Sequence, residues 1–514
     1  MDTLSSYIDM LDTKSTPIPE SKLKEQKESE YFRIGDHLSA TSLSGASRAF
    51  YPIRNVPPIQ HSLGSHLFDS LPTEMIIMVF SFCDIPDANL LDTNDGTWVL
   101  SQVCKRWRDI VVHCPLFWTY INLDLSCWHY TQNRPNRADM LVETFLERSK
   151  DMPLDVQIHC PDIQGAPNHI LTAVEHLLNA SPRWRLAMLD LPYTVYQALS
   201  PVIHGRLDLL QSLFLKFDLP HKTTRNFFSG IDAFQIAPKL CQVSIEGLPY
   251  ATKNVRLPWN QLTHLNAYHD FPNPNYHCLG LSSNLVECHI SSRGDLLESP
   301  RGAYAPVSLP NLKRLFVEGT GVLILPYLVA PNTEVLHVTN VLPGTCSEEC
   351  IDAVQEFILS GCSESLKDLV LHSDPLDYRV AEILFATRDL VKLGLRLSLP
   401  NGSSLFVDLL KWLSYRDVPR SSLTSCTLGL LPRLADLSMR IECSSADIEG
   451  DDVEALVQML ASRRTMPQVS ESHRGFSQLE SFDLEVKACL PTLEAGVFNA
   501  LNEMGLRTSM KLVR

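Results

Sequence analysis

Four stretches carry residue types capable of chemistry. Cys346-Ser-Glu-Glu-Cys350 places two thiols at a C-x3-C spacing. A closed zinc site needs two further ligands, and no second pair accompanies it, so a loop leading into a helix accounts for the spacing. Asp447-x-Glu449-Gly450-Asp451-Asp452-x-Glu454 is acidic enough to suggest calcium. It lacks the ordered ligand spacing of a calcium loop, and carboxylates at a helix N-terminus explain it. His264, His269 and His277 fall in one segment, with no Ser or Cys nucleophile in a recognisable motif beside them. Gly319-Thr-Gly321 lacks the third glycine of a dinucleotide fingerprint, and no P-loop, nucleophile elbow or H-E-x-x-H occurs. The expectation is a protein without catalytic residue, metal or cofactor, one that binds rather than transforms. The rival reading from residue types alone is a hydrolase or transferase on an α/β domain.

The elements that must position a binding surface come next. The chain of 514 residues exceeds a single core, at roughly 100–200 residues per domain. Apolar residues make up 45% and charged residues 20%, which excludes a wholly disordered chain. A net charge of −15 gives no global attraction for nucleic acid or an anionic membrane. The 14 cysteines are scattered, and several (Cys83, Cys104, Cys288) sit among apolar neighbours, as reduced thiols do. The first ten residues hold Asp2 and Asp9 and no apolar h-region. Val322–Ala330 is interrupted by Pro326 and falls short of the ~20 residues a membrane helix needs. The expected location is intracellular, cytoplasmic or nuclear, with no secretion and no transmembrane segment.

Composition divides the chain. Residues 1–65 hold a mixed-charge run, Glu20–Arg33, then a Ser/Gly/Pro-rich stretch, and read as a disordered or short-helix segment and linker. Residues 66–123 read as a small helical domain. Ser70 is placed to cap a helix carrying Met75, Ile76, Val79, Phe80 and Cys83. After a polar insert, Asp84–Thr97, the residues Leu100, Val103, Cys104, Trp107 and Val111 form one helical stripe. Pro115 ends it.

This segment resembles an F-box. The carriers are Leu71-Pro72-x-Glu74-Met75-x-x-x-Val79-Phe80 and Leu100-Ser-Gln-Val103-Cys104-Lys-Arg-Trp107. Cys114-Pro115-Leu116-Phe117-Trp118 resembles the Thr-Pro-x-Leu-Trp that follows the box in many fungal members. Farther on, Phe145-Leu-Glu-Arg-Ser149 with Pro153-Leu154, and Arg183-Trp184-Arg185, resemble elements of fungal F-box proteins. Tyr51-Pro-Ile-Arg-Asn-Val-Pro57 resembles the family's lead-in. Thirteen residues separate that lead-in from Leu71, and the Asp84–Thr97 connection is longer than usual.

Residues 124–180 read as a connecting region, and residues 181–514 as a repeat array. A Leu-x-x-Leu-x-Leu pattern recurs with first positions at Leu186, Leu210, Leu240, Leu262, Leu285, Leu312, Thr333, Leu366, Leu390, Leu434 and Leu479. Most steps fall near the ~20–29-residue period of a leucine-rich repeat. The two longest, 44 and 45, require degenerate units (Leu423/Cys426/Leu428 is one candidate) or insertions. Where such repeats usually hold Asn, six units have Asp218, Asp270, Asp374, Thr194, Thr320 and Ser398, whose oxygens suit a backbone N–H. Ile351, Val354, Phe357 and Ile358, and then Val453, Leu456, Val457, Leu460 and Ala461, form helical stripes. The expected fold is α+β or α/β: a small helical F-box, then an irregular leucine-rich-repeat-like solenoid. The alternative is an ordinary parallel α/β domain.

The resemblance implies a substrate-recognition subunit of a Skp–cullin–F-box ubiquitin ligase, non-catalytic itself. Leu71, Pro72, Met75, Val103 and Trp107 would bind the Skp-type adaptor and, through it, a cullin. Strand alternation would present Lys216, Glu246, His264, Tyr268, His289, Arg314, Phe316, His337, Lys392, Arg396 and Arg440 to a target protein. Arg314, Phe316, Lys392 and Arg396 are the leading target-binding candidates, and the basic members favour an acidic or phosphorylated target. The alternative is a non-ligase leucine-rich-repeat scaffold.

Overall fold

The computed structural model describes residues 70–82, 88–126, 138–160, 168–217, 230–247, 254–269, 275–292, 305–339, 347–373, 376–399, 404–414, 430–443, 450–464, 477–487 and 506–512. The segment 1–65, the lead-in at 51–57, Cys83, Cys346, Asp218, Asp270, Asp374 and the Leu423 unit lie outside them. The described residues divide into two compact units. One comprises 70–82 and 100–113. The other comprises 88–99 and everything from Cys114 onward. Residues 66–123 therefore contribute to both units.

The first unit is helical: α1 (Thr73–Ser81), the end of α2 (Gly96–Val103) and α3 (Lys105–His113). Ser70 does not cap α1. Pro72 takes that place, and its carbonyl accepts the N–H groups of Met75 and Ile76. Proline suits a helix start because its fixed φ fits and its missing N–H would be unpaired there anyway. The stripe expected to run unbroken from Leu100 to Val111 is cut at Cys104, whose thiol accepts the Trp107 N–H and restarts the helix as α3.

The second unit is built on one sheet of fourteen strands, parallel throughout and in chain order. They are β1 (Tyr120–Asp124), β2 (Leu154–His159), β3 (Trp184–Leu191), β4 (Ser212–Phe217), β5 (Gln242–Glu246), β6 (His264–His269), β7 (Glu287–Ser292), β8 (Arg314–Gly319), β9 (Val335–Thr339), β10 (Asp368–Ser373), β11 (Lys392–Leu399), β12 (Asp436–Cys443), β13 (Ser481–Lys487) and β14 (Arg507–Leu512). Helices connect several of them: α4 (Ala138–Arg148), α5 (Asn168–Asn179), α6 (Tyr193–Ile203), α7 (Asn275–Leu281), α8 (Ser347–Phe357), α9 (Arg379–Ala386), α10 (Ser404–Leu413) and α11 (Gly450–Arg464).

Each of the eleven repeat matches coincides with a strand, β3 through β13. Leu210, Leu240, Leu262, Leu285, Leu312, Leu366, Leu390, Leu434 and Leu479 are all buried, as are the pairs that follow them, such as Leu213/Leu215 and Leu393/Leu395. Burial alternates along β4: Leu213, Leu215 and Phe217 point in, while Ser212, Phe214 and Lys216 are partly exposed. A parallel sheet covered on both faces would bury every position. This one covers a single face.

The structure departs from the sequence reading in three places here and decides between its alternatives in a fourth. Residues 124–180 are not a mere connection, because β2 lies in them and pairs with both β1 and β3. Neither β1 nor β2 has the leucine pattern. The steps of 44 and 45 are insertions, since β11 pairs directly with β12, and β12 with β13. Thr194 is exposed on α6, away from the strands, and Thr320 donates to Ser292 Oγ (3.1 Å). The tie between β3 and β4 comes instead from Tyr196, whose buried hydroxyl reaches the carbonyls of Leu189 and Lys216. Finally, on α11 Leu456 and Leu460 of the expected stripe are buried, but they are joined by Met459 and Arg463, while Val457 and Ala461 stay partly exposed.

Arg463 is 2% exposed and donates to the carbonyls of Leu413, Leu430 and Leu431. Burial pushes its guanidinium down to about 10, so it stays charged at neutral pH. Leu431 has φ +58°, a region non-glycine residues rarely adopt. The arginine holds this turn in place.

The sheet begins with a packed corner. Trp118 lies edge-on to Trp98 (5.3 Å) and Phe145 (4.8 Å), with the Arg148 guanidinium 4.4 Å from its ring centre. Arg183 donates to Ser149 Oγ and to the Met152 carbonyl. The three motif fragments quoted downstream of the box thus meet in one place. On the edge of β1, Leu90 donates its N–H to Asn122, and the Asn89 amide donates to the Asp124 carbonyl. These bonds occupy backbone groups that an open sheet edge would leave bare.

Candidate functional site

The helical unit exposes apolar side chains that a free-standing unit would bury. On α1, Ile76 and Phe80 face inward. Met75, Met78, Val79 and Phe82 lie at i, i+3, i+4 and i+7 on another side and are exposed, Phe82 to 82%. Val103 at the end of α2 is also exposed. Five of the fourteen large apolar side chains exposed among the described residues belong to this small unit, four of them along one side of α1 and its end. Such patches mark interaction surfaces. The expected stripe of Met75, Ile76, Val79, Phe80 and Cys83 mixes both sides of α1 and leaves out Met78 and Phe82. The signal was there: a helix apolar all round has a second face to cover.

The five adaptor candidates fall in distinct places. Met75 and Val103 are exposed, as is Pro72, which starts α1. Leu71 is half-buried and its carbonyl accepts from Arg106, which ties α3 back to the start of α1. Trp107 is half-buried and lies edge-on to Phe80 at 4.6 Å, inside the unit.

The outward sheet face has three rows, fixed by strand register. The first runs through Asp155, Glu287, Arg314, Asp368, Lys392 and Asp436. The third runs through Asp124, Asp190, Lys216, Glu246, Glu318, Arg396 and Arg440. The middle row holds Met188, Phe214, His289, Phe316, His337 and Val370. Here His289 stacks on Phe316 at 4.0 Å, and His337 meets the same ring edge-on at 4.9 Å.

The basic candidates are paired within the face. Arg314 bonds Glu287, Lys392 lies 3.7 Å from Asp436, and Arg396 donates to Glu442 at 2.8 Å. Arg440 reaches Glu442 and Glu485, and Lys216 reaches Asp190. Each of these cations has a carboxylate partner, so the face offers no surplus of positive charge to an acidic or phosphorylated target. Glu287 is held down to about 2, first by the His289 hydrogen bond and then by Arg314. Burial lowers His264.

His159 and Asp190 form a pair of 2.7 Å across β2 and β3. The bond to Asp190 raises the imidazole above its ordinary value, against an opposing desolvation. A raised cation pKa adds stability that is fully present below about 6.5 and lost as pH rises through the folded value. Wild type is therefore expected to lose more melting temperature than His159→Gln between about pH 6 and about pH 8. Equal losses in the two proteins would show that the pair contributes nothing.

Residues 68–124 match the protein family described as F-box-like. No curated protein matches the chain. The N-terminal part is thus an F-box-like domain, followed by a mixed helix–strand region with a parallel sheet. Domains of this class typically bind Skp-type adaptors. Among the described residues no helix is long and apolar enough to cross a membrane.

Proposed function

We propose that the protein is the substrate-recognition subunit of a Skp–cullin–F-box ubiquitin ligase. The observation that carries this reading is the exposed apolar face of Met75, Met78, Val79 and Phe82, with Val103, inside the F-box-like segment. It docks the Skp-type adaptor, which hangs from the cullin. The sheet region acts as a leucine-rich-repeat-like domain whose outward face, including Arg314, Phe316, Lys392 and Arg396, holds the target. The chain makes and breaks no bond itself. It raises the effective concentration of a target lysine beside a ubiquitin-charged enzyme.

The full chain mixed with purified Skp-type adaptor is expected to elute as one complex at about 10 μM, and to carry a cullin through that adaptor. Separate elution of chain and adaptor would favour a scaffold outside any ligase.

A further inference from the structure

The middle row of the sheet face has a property its neighbours lack. From β1 to β12, twelve consecutive strands, its residues include no Asp, Glu, Lys or Arg; the first charge is Asp483 on β13. Over the same strands the first row holds six charged residues and the third holds seven. A lane free of carboxylate, ammonium and guanidinium groups therefore crosses the strands between two charged rails, its two imidazoles bonded to Glu287 and Asp368 of the first.

The rails hold eight carboxylates and five cations, and the cations are all paired. Arg314, Lys392, Arg396 and Lys216 each have a carboxylate within 4 Å on a neighbouring strand. An anionic ligand would have to break these pairs, exchanging one carboxylate partner for another, and would gain little. The lane offers more. Phe316 with its two imidazoles gives a half-exposed aromatic floor. Beyond it Val370 leans over Gly394, where an added Cβ would lie 3.0 Å from Val370 Cγ2. Glycine there lets the valine lie flat and keeps the lane floor low.

Resting on the reading of this face as the target surface, we propose that the recognised element of the target is an uncharged polypeptide stretch laid across the strands, anchored by an aromatic or branched aliphatic side chain on Phe316. The lane's own residues select it: none carries a carboxylate, ammonium or guanidinium group, and the rail cations already have partners, so the lane floor fits a neutral side chain. From His289 to Gly394 is four strand steps, about 19 Å at ~4.8 Å each, the length of about six extended residues. Electrostatic steering contributes little to such an association, so salt affects it weakly.

The test uses the full chain, folded as judged by its melting temperature, and two displayed 12-residue peptide pools. One pool is neutral with a central Phe, Trp, Leu or Ile, and the other is acidic and phosphoserine-bearing. Neutral peptides are expected to be retained, with under threefold change between about 0.05 M and about 0.5 M salt. Phe316→Ala should lower retention at least tenfold. Ser438→Arg, which places a charge in the lane at an exposed position, should lower it for peptides long enough to reach β12, and it perturbs no packing. Preference for the acidic pool, or a steep fall with salt, overturns the proposal. Retention lost with Arg396→Glu yet indifferent to Phe316→Ala keeps the face as the target surface and removes only the neutral lane. Retention indifferent to all three substitutions, with adaptor binding intact, removes the face itself as the target surface.

Discussion

Met75→Asp and Val103→Asp are each expected to reduce capture of a Skp-type adaptor at least about 30-fold, the ~2 kcal/mol of an interface hot spot, without lowering the melting temperature. The side chains are exposed, Met75 to 45% and Val103 to 55%, so neither substitution removes internal packing. Surface changes of this kind usually stay within about 0.5 kcal/mol of wild-type stability. In the complex, the same positions would put a carboxylate into an apolar, desolvated contact without a partner, which is costly. Trp107→Ala is a poorer probe, because the ring packs on Phe80 and its loss would loosen α1 against α3. Titration of purified adaptor against each variant, beside a thermal melt, reads both quantities. Wild-type affinity in both Asp variants would remove this surface as the docking site.

Arg463→Ala should destabilise the C-terminal part of the sheet region by about 3–5 kcal/mol. The carbonyls of Leu413, Leu430 and Leu431 would lose their shared donor in a place where Arg463 itself is 2% exposed. Each buried acceptor left unpaired costs about 1–3 kcal/mol, and the effects do not add fully. The turn at Leu431, with its positive φ, would lose its brace. Arg463→Lys should recover little, since a single ammonium cannot reproduce the planar fork that reaches three carbonyls. Amide exchange in α10, α11 and β12 measures the opening directly. Wild-type protection in Arg463→Ala would show that the guanidinium is dispensable. Adaptor binding should be unchanged, because the helical unit does not contain these residues.

Much of this protein is written in local pattern. The spacing of Leu210, Leu213 and Leu215, repeated eleven times, marks positions where strands form and which side chains are buried, because a period of two along a strand and a recurring unit are properties of the chain alone. The Leu71-Pro72-x-Glu74-Met75 segment likewise marks α1 and its family from residue types. Other features are set by neighbours distant in sequence. The interruption at Cys104 depends on one thiol meeting one N–H. β1 and β2 carry no leucine signature, and it is the pairing of β2 with β3, and of β1 with β2, that makes them part of the sheet. Arg463, written in the sequence as an ordinary basic helix end, becomes a buried brace because the carbonyls of residues 413, 430 and 431 converge on it. The balance of charge on the outward face is the clearest case. Arg314 and Glu287 are 27 residues apart, and Arg396 and Glu442 are 46 apart. Residue types predict a basic surface only until strand register sets a carboxylate beside each cation. Register is decided by how the units stack, since neighbouring strands bring together residues that the chain itself keeps 20 to 50 positions apart.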